Sequence, residues 1–206
     1  MNIKKYLGPL SKDNPVLVQV LGVCSALAVT AQLKPALVMA ISVTVVCAMA
    51  NFIISLIRNT IPPRIRIIVQ LIIVAALVIL VDLILQAYMY QMSKMLSVFV
   101  GLIITNCIIM GRIEAFALGN PPLPSLIDGL ANGAGYGMVL VIIGFVREFF
   151  ASGTIWNQQV IPDNWYAVNG GFYYNNGLMS IPPMAMILVG ILVWIHRRKH
   201  NPEISE

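Results

Sequence analysis

The stretch LSVFVGLIITNCIIMGRIEAFA, residues 96–117, decides how the rest of the chain is read. It is long and apolar enough to enter a membrane, yet Thr105, Asn106 and Cys107 sit at its centre, with Gly111, Arg112 and Glu114 close behind. A helix facing only lipid needs no polar knot of this kind. A second apolar run, LGVCSALAVT at 21–30, also carries a cysteine in its middle. Cys24 and Cys107 therefore pose one question: core packing, or two ligands of one metal site.

Working outward, the whole chain has membrane character. Of its 206 residues, 59% are hydrophobic and 10% charged, against roughly 25% charged in a soluble domain, and the mean hydropathy is +0.86. The net charge of +5 is scattered, and no basic run exceeds Arg197-Arg198-Lys199, so nucleic acid is not an expected partner. Three cysteines, all in apolar segments, do not make a self-contained disulfide framework. The opening MNIKKYLGPLSKDNP is polar and basic, with no small-residue cleavage site after a short apolar core, so it does not read as a removable signal peptide.

A span needs about 20 mostly apolar residues. The sequence predicts six, at about 15–33, 35–57, 67–90, 95–117, 128–148 and 178–196, forming a single all-α, polytopic membrane domain over 1–206. Lys4, Lys5, Lys12, Arg58, Arg64, Arg66, Arg112, Arg197, Arg198 and Lys199 fall on one side; Lys34, Lys94 and Arg147 fall on the other. The positive-inside rule makes the richer side cytoplasmic and puts both termini there. Loop 5–6, with Trp156, Trp165, Tyr166, Tyr173 and Tyr174, is expected at the outer interface or against a neighbour. Pro62-Pro63 should stop helix 2, Pro121, Pro122 and Pro124 should keep loop 4–5 extended, and Pro182-Pro183 should open helix 6.

Three spans and three spans suggest two inverted repeats, at about 14–90 and 95–196. Helices 1 and 4 each carry a mid-span cysteine, and helices 2 and 5 end in SLIR (55–58) and GFVR (144–147). An odd number of spans per half makes the halves antiparallel and brings both cysteines toward the midplane. The repeat predicts discontinuous half-helices at 1 and 4, where such folds build their sites.

Each candidate residue has a plainer reading beside the functional one. A buried cysteine usually behaves as a small hydrophobe, and that reading suits Cys47 in SVTVVCAMA. Cys24 and Cys107 differ, because Gly22, Ser25, Thr105 and Asn106 beside them could open the backbone and offer N–H groups to a thiolate. Paired thiolates suit a soft metal. A zinc site or iron–sulfur cluster takes four ligands, and His196 and His200 lie at the cytoplasmic end, away from the mid-span cysteines. Another subunit must then supply two. Asp82, Asp128 and Glu114 are the acids that could line an ion pathway. The plainer readings are an ion pair of Glu114 with Arg112, and Asp128 as an N-terminal helix charge. Gly129, Gly133 and Gly137 form overlapping GxxxG units, a close-packing face for another helix. They lack the Lys-Ser/Thr ending of a phosphate loop.

NPVLVQVLGVCSALAVT, NFIISLIRNTIP, RIIVQ, the stretch at 96–117 and IDGLANGAGYG together resemble the small membrane subunits shared by the sodium-translocating NADH:quinone oxidoreductases and the Rnf-type ferredoxin:NAD complexes. The wording at 23–26 and 99–102 is nearer the quinone-reductase branch; the E subunit of an Rnf complex is the alternative within the family. The resemblance implies a six-helix subunit of the bacterial inner membrane, one part of a translocase and not catalytic alone. It implies that Cys24 and Cys107, with two cysteines of a related E subunit of opposite topology, hold a [2Fe–2S] cluster. FAD, FMN, riboflavin, NADH and ubiquinone would belong to other subunits among A, B, C, E and F, and Na⁺ would be exported. A reading of another class is a small inverted-repeat secondary transporter with a Cys-lined site and no iron.

Overall fold

Apolar side chains all around a helix bury it in a core or in lipid, and long uncharged runs give this chain its scaffold. The computed structural model describes residues 14–88, 101–152, 154–155, 158–159, 177 and 181–200. The named aromatic residues of loop 5–6, Lys4, Lys5, Lys12, Lys94 and the expected span residues 89–90, 95–100 and 178–180 lie outside them. The helices whose bounds lie within the described residues are α1 (Val23–Val29), α2 (Leu33–Ile57), α3 (Arg66–Tyr88), α4 (Cys107–Arg112), α5 (Pro122–Ser152) and α6 (Pro182–His200). A π-helix, Ile113–Ala117, continues α4, and a two-residue antiparallel ladder pairs β1 (Thr154–Ile155) with β2 (Gln158–Gln159). Among the described residues, α2, α3 and α5 are long and apolar enough to cross a membrane.

The core is the antiparallel pair of α2 and α5, the most extensive helix contact among the described residues. Small residues permit it. A Cβ built on Gly129 would lie 2.8 Å from the Ala48 Cα, one on Gly133 2.7 Å from the Thr44 Cα, and one on Gly137 3.1 Å from the Ala40 Cβ. The offset that matches Arg58 of SLIR with Arg147 of GFVR also matches Thr44 with Gly133. Those two residues are in contact. Helix α3 is peripheral. Among the described residues it buries only the stripe Gln70, Val74 and Val78, and it turns Ile67, Ile68, Ile72, Ile79 and Leu83 outward.

The glycine seam makes a direct prediction. Gly133→Ala should lower stability by about 1–3 kcal/mol, the cost of overpacking against backbone, and Gly133→Leu should stop the folded chain accumulating. Gly190 of α6 has nothing within 4 Å of its virtual Cβ. Gly190→Ala should therefore be neutral or gain up to about 1 kcal/mol from helix propensity. Thermal unfolding in detergent compares them, and equal midpoints for the two alanine variants would contradict the close approach.

One expectation needs correction. Pro122 and Pro124 are not in an extended loop; they are the first and third residues of α5, which starts six residues earlier than expected. The first turn of a helix has no intrahelical partners for its N–H groups, so proline costs little there. Pro35 of α2 uses the same tolerance, as do Pro182 and Pro183 of α6. Within the span expected at 15–33, where a discontinuous helix was anticipated, a turn at 15–18 gives way to irregular backbone before α1 begins at Val23.

Candidate metal centre at two broken helices

The first break begins at Asn14. Its side chain accepts from Val16 N at 3.0 Å and donates to Gly135 O of α5 at 3.0 Å, pinning the incoming chain to the core. Val20 then has φ 55° and Gly22 φ 79°. Positive φ at a β-branched residue is a strained outlier that surrounding structure must hold in place. At Gly22 both conformation and space demand glycine, since a Cβ there would lie 2.8 Å from Ile108 Cδ1 and 3.0 Å from the Tyr136 ring. Helix α1 restarts at Val23, so Cys24 is its second residue.

The second break is at Asn106, whose backbone is extended (φ −67°, ψ 122°) between the helical residues 101–104 and α4. Its side-chain oxygen accepts from Ile108 N at 3.2 Å, an N-cap. Cys107 is the first residue of α4. Both helices thus restart on a cysteine or one residue before it.

The two breaks are joined. The Ser25 hydroxyl donates to Gly22 O at 3.0 Å and lies 2.6 Å from the Tyr136 hydroxyl of α5. The Asn106 amide donates to Ser25 Oγ at 3.2 Å and to Tyr136 Oη at 3.5 Å. All three side chains are buried, while the neighbouring Cys24 and Cys107 are both exposed free thiols. Cys47 lies fully buried within α2. Among the described residues no three His, Cys, Asp or Glu side chains converge as a metal site. Two exposed thiols beside one closed polar node fit half of a four-thiolate set.

The acids take other partners than the sequence suggested. Asp128 is the seventh residue of α5, too deep to serve the helix N-terminus, and Arg112 grips it with two bonds of 2.6 and 3.0 Å. Asn132 donates to its Oδ1 at 3.0 Å. Glu114, in the π-helix, pairs with Arg66 of α3 rather than with Arg112, and accepts from Gln70 Nε2 at 3.2 Å. Asp82 accepts from Gln86 Nε2 at 3.0 Å, one turn along α3.

Sequence reasoning did not find Tyr136, although it is the aromatic side chain inside the glycine run GAGYG. It also counted Arg147 among loop charges. Arg147 is 1% exposed and donates to Thr30 Oγ1 at 2.7 Å and to Leu27 O at 3.4 Å, at the end of α1. Beside it, buried Glu148 accepts from Leu33 N at 2.6 Å, at the start of α2. The GFVR signature was the available signal, because a charge repeated at matching helix ends is rarely a loose loop charge.

A family model described as "Rnf-Nqr subunit, membrane protein" matches residues 2–193. Curated relatives named as the D subunit of the Na(+)-translocating NADH-quinone reductase match at similar length. The one from Shewanella sp. (strain W3-18-1) is 55% identical over 199 residues, 97% of this chain and 93% of the relative. The one from Proteus mirabilis (strain HI4320) is 54% identical over 200 residues, 97% and 94% of the two chains. With membrane-length apolar helices and a family match over nearly its whole length, the chain belongs to the Rnf-Nqr family of membrane subunits.

Proposed function

We propose that this chain is the D subunit of a sodium-translocating NADH:quinone reductase in the bacterial inner membrane, with both termini cytoplasmic. The names of relatives at 54–56% identity support the complex. Cys24 and Cys107 hold one side of a [2Fe–2S] cluster, and the E subunit supplies the other two thiolates. The observation that carries this is the pair of exposed thiols at two breaks joined through Ser25 and Asn106. When bound, such a cluster accepts and returns one electron within the membrane.

The chain's own residues do the holding. Broken helices leave polar backbone inside a membrane, which is tolerated only where protein encloses it. Gly22 against Ile108 and Tyr136 provides that enclosure on one side, and the E subunit closes the other. Other subunits among A, B, C, E and F carry the flavins and bind NADH and ubiquinone. Asp82, Asp128 and Glu114 are the acids proposed for the Na⁺ path, with Asp128 and Glu114 held by arginines in this state. The pairing of Thr44 with Gly133 supports two inverted three-helix repeats.

Purification through a tag on this chain tests the reading. The expected result is co-purification of five further subunits, NADH:ubiquinone activity stimulated by Na⁺, and iron beyond that of the flavin/iron–sulfur subunit. A complex that reduces NAD⁺ with ferredoxin and ignores quinone would replace it with the Rnf reading. Substrate flux by the chain alone, without iron, would replace it with a transporter.

A further inference from the structure

We infer that the Tyr136 hydroxyl, acting through Ser25 and Asn106, is a positioning group that sets the relation of Cys24 to Cys107. This rests on the cluster reading above and adds a role to residues outside the ligand set. Ser25 follows Cys24 and Asn106 precedes Cys107, so a bond between their side chains ties the two ligand-bearing backbones directly. Tyr136 belongs to α5, the helix locked to α2 by the glycine seam. Its hydroxyl therefore refers both broken segments to the closely packed α2–α5 pair.

Proton accounting makes the arrangement single-valued. Asn106 Oδ1 accepts from Ile108 N, which fixes the amide orientation and leaves Nδ2 to donate. Nδ2 points to Ser25 Oγ at 3.2 Å and Tyr136 Oη at 3.5 Å. The one Ser25 proton goes to Gly22 O. The 2.6 Å contact must then be Tyr136 donating to Ser25. Ser25 thus receives two donors and passes one proton to the carbonyl at the first break. Removing the tyrosine hydroxyl takes away the shortest bond and leaves the ring against Gly22 in place. A fully satisfied buried network specifies one geometry, and a partly satisfied one does not.

The test uses the whole complex. Tyr136→Phe and Ser25→Ala are each expected to keep the parent iron content. They should broaden the EPR signal of the intramembrane cluster and displace its midpoint potential. The double variant should go no further than either alone, and Ser25→Thr, which keeps a hydroxyl, should restore the parent spectrum. If Tyr136→Phe does not assemble, Ser25→Ala against Ser25→Thr reads the same contrast. Parent line shape and potential in Ser25→Ala, with the signal abolished by Cys24→Ala, would overturn the positioning role alone. A signal that survives both cysteine replacements would overturn the cluster reading itself.

Discussion

Replacing Cys24 or Cys107 with alanine is expected to remove the EPR signal of the intramembrane cluster and its share of the iron, while the complex still assembles. The two thiols are exposed on this chain, so deleting either sulfur opens no cavity within it. A four-thiolate cluster that loses a ligand has no other cysteine of this chain at hand, because Cys47 lies within α2, fully buried. The control runs the opposite way. Cys47→Ala removes a packed sulfur from the α2–α5 seam, where Gly129 approaches the Cys47 carbonyl. It should cost on the order of 1 kcal/mol in stability, by analogy with small core truncations, and leave the spectrum untouched. Iron analysis and EPR of purified complexes, with thermal midpoints alongside, separate the two behaviours. Full cluster content in both the Cys24 and Cys107 variants would remove the ligand assignment.

Membrane class was legible because composition alone reports it: 10% charge cannot cover a soluble surface. The glycine seam was legible because GxxxG spacing places small residues on one helix face whatever the partner. The identity of that partner, α2, was not, since no sequence period names the opposite helix. Loop 4–5 was misread because proline was treated as a helix breaker, whereas at the first and third positions of α5 it removes N–H groups that have no intrahelical partner. Arg112 and Glu114 were paired by proximity along the chain. Residues two apart on a helix do not face each other, and the fold sends Arg112 to α5 and Glu114 to α3. The two cysteines were singled out from their polar neighbours. Tyr136 was not, because its significance lies in contacts 111 and 30 residues away in sequence.

That misreading leads to the second large effect. Arg112→Met is expected to destabilise the assembled complex by about 3–5 kcal/mol, the usual cost of stranding one partner of a buried ion pair. The Asp128 side chain is 8% exposed and the Arg112 side chain 15%. With Arg112 gone, Asn132 still donates to the carboxylate, but an amide dipole does not neutralise a charge. Asp128→Asn should cost less, because it keeps an acceptor for Arg112, and the guanidinium retains the face of Phe116 at 5.7 Å. The double variant Arg112→Met with Asp128→Leu should recover much of the loss, since apolar replacement of a whole buried pair is often neutral or stabilising. Thermal inactivation of the purified complex measures all three. If Arg112→Met and the double variant lose the same amount, the pair is contributing packing and not charge compensation. The location makes the result matter for the site: Arg112 closes α4, the six-residue helix that starts with Cys107. Its bond to Asp128 fixes the far end of that helix to α5, while Asn106 fixes the near end to Tyr136 of the same helix. Arg112→Met should therefore also broaden the cluster signal, and an unchanged line shape in a destabilised complex would show that the near-end contacts alone hold Cys107.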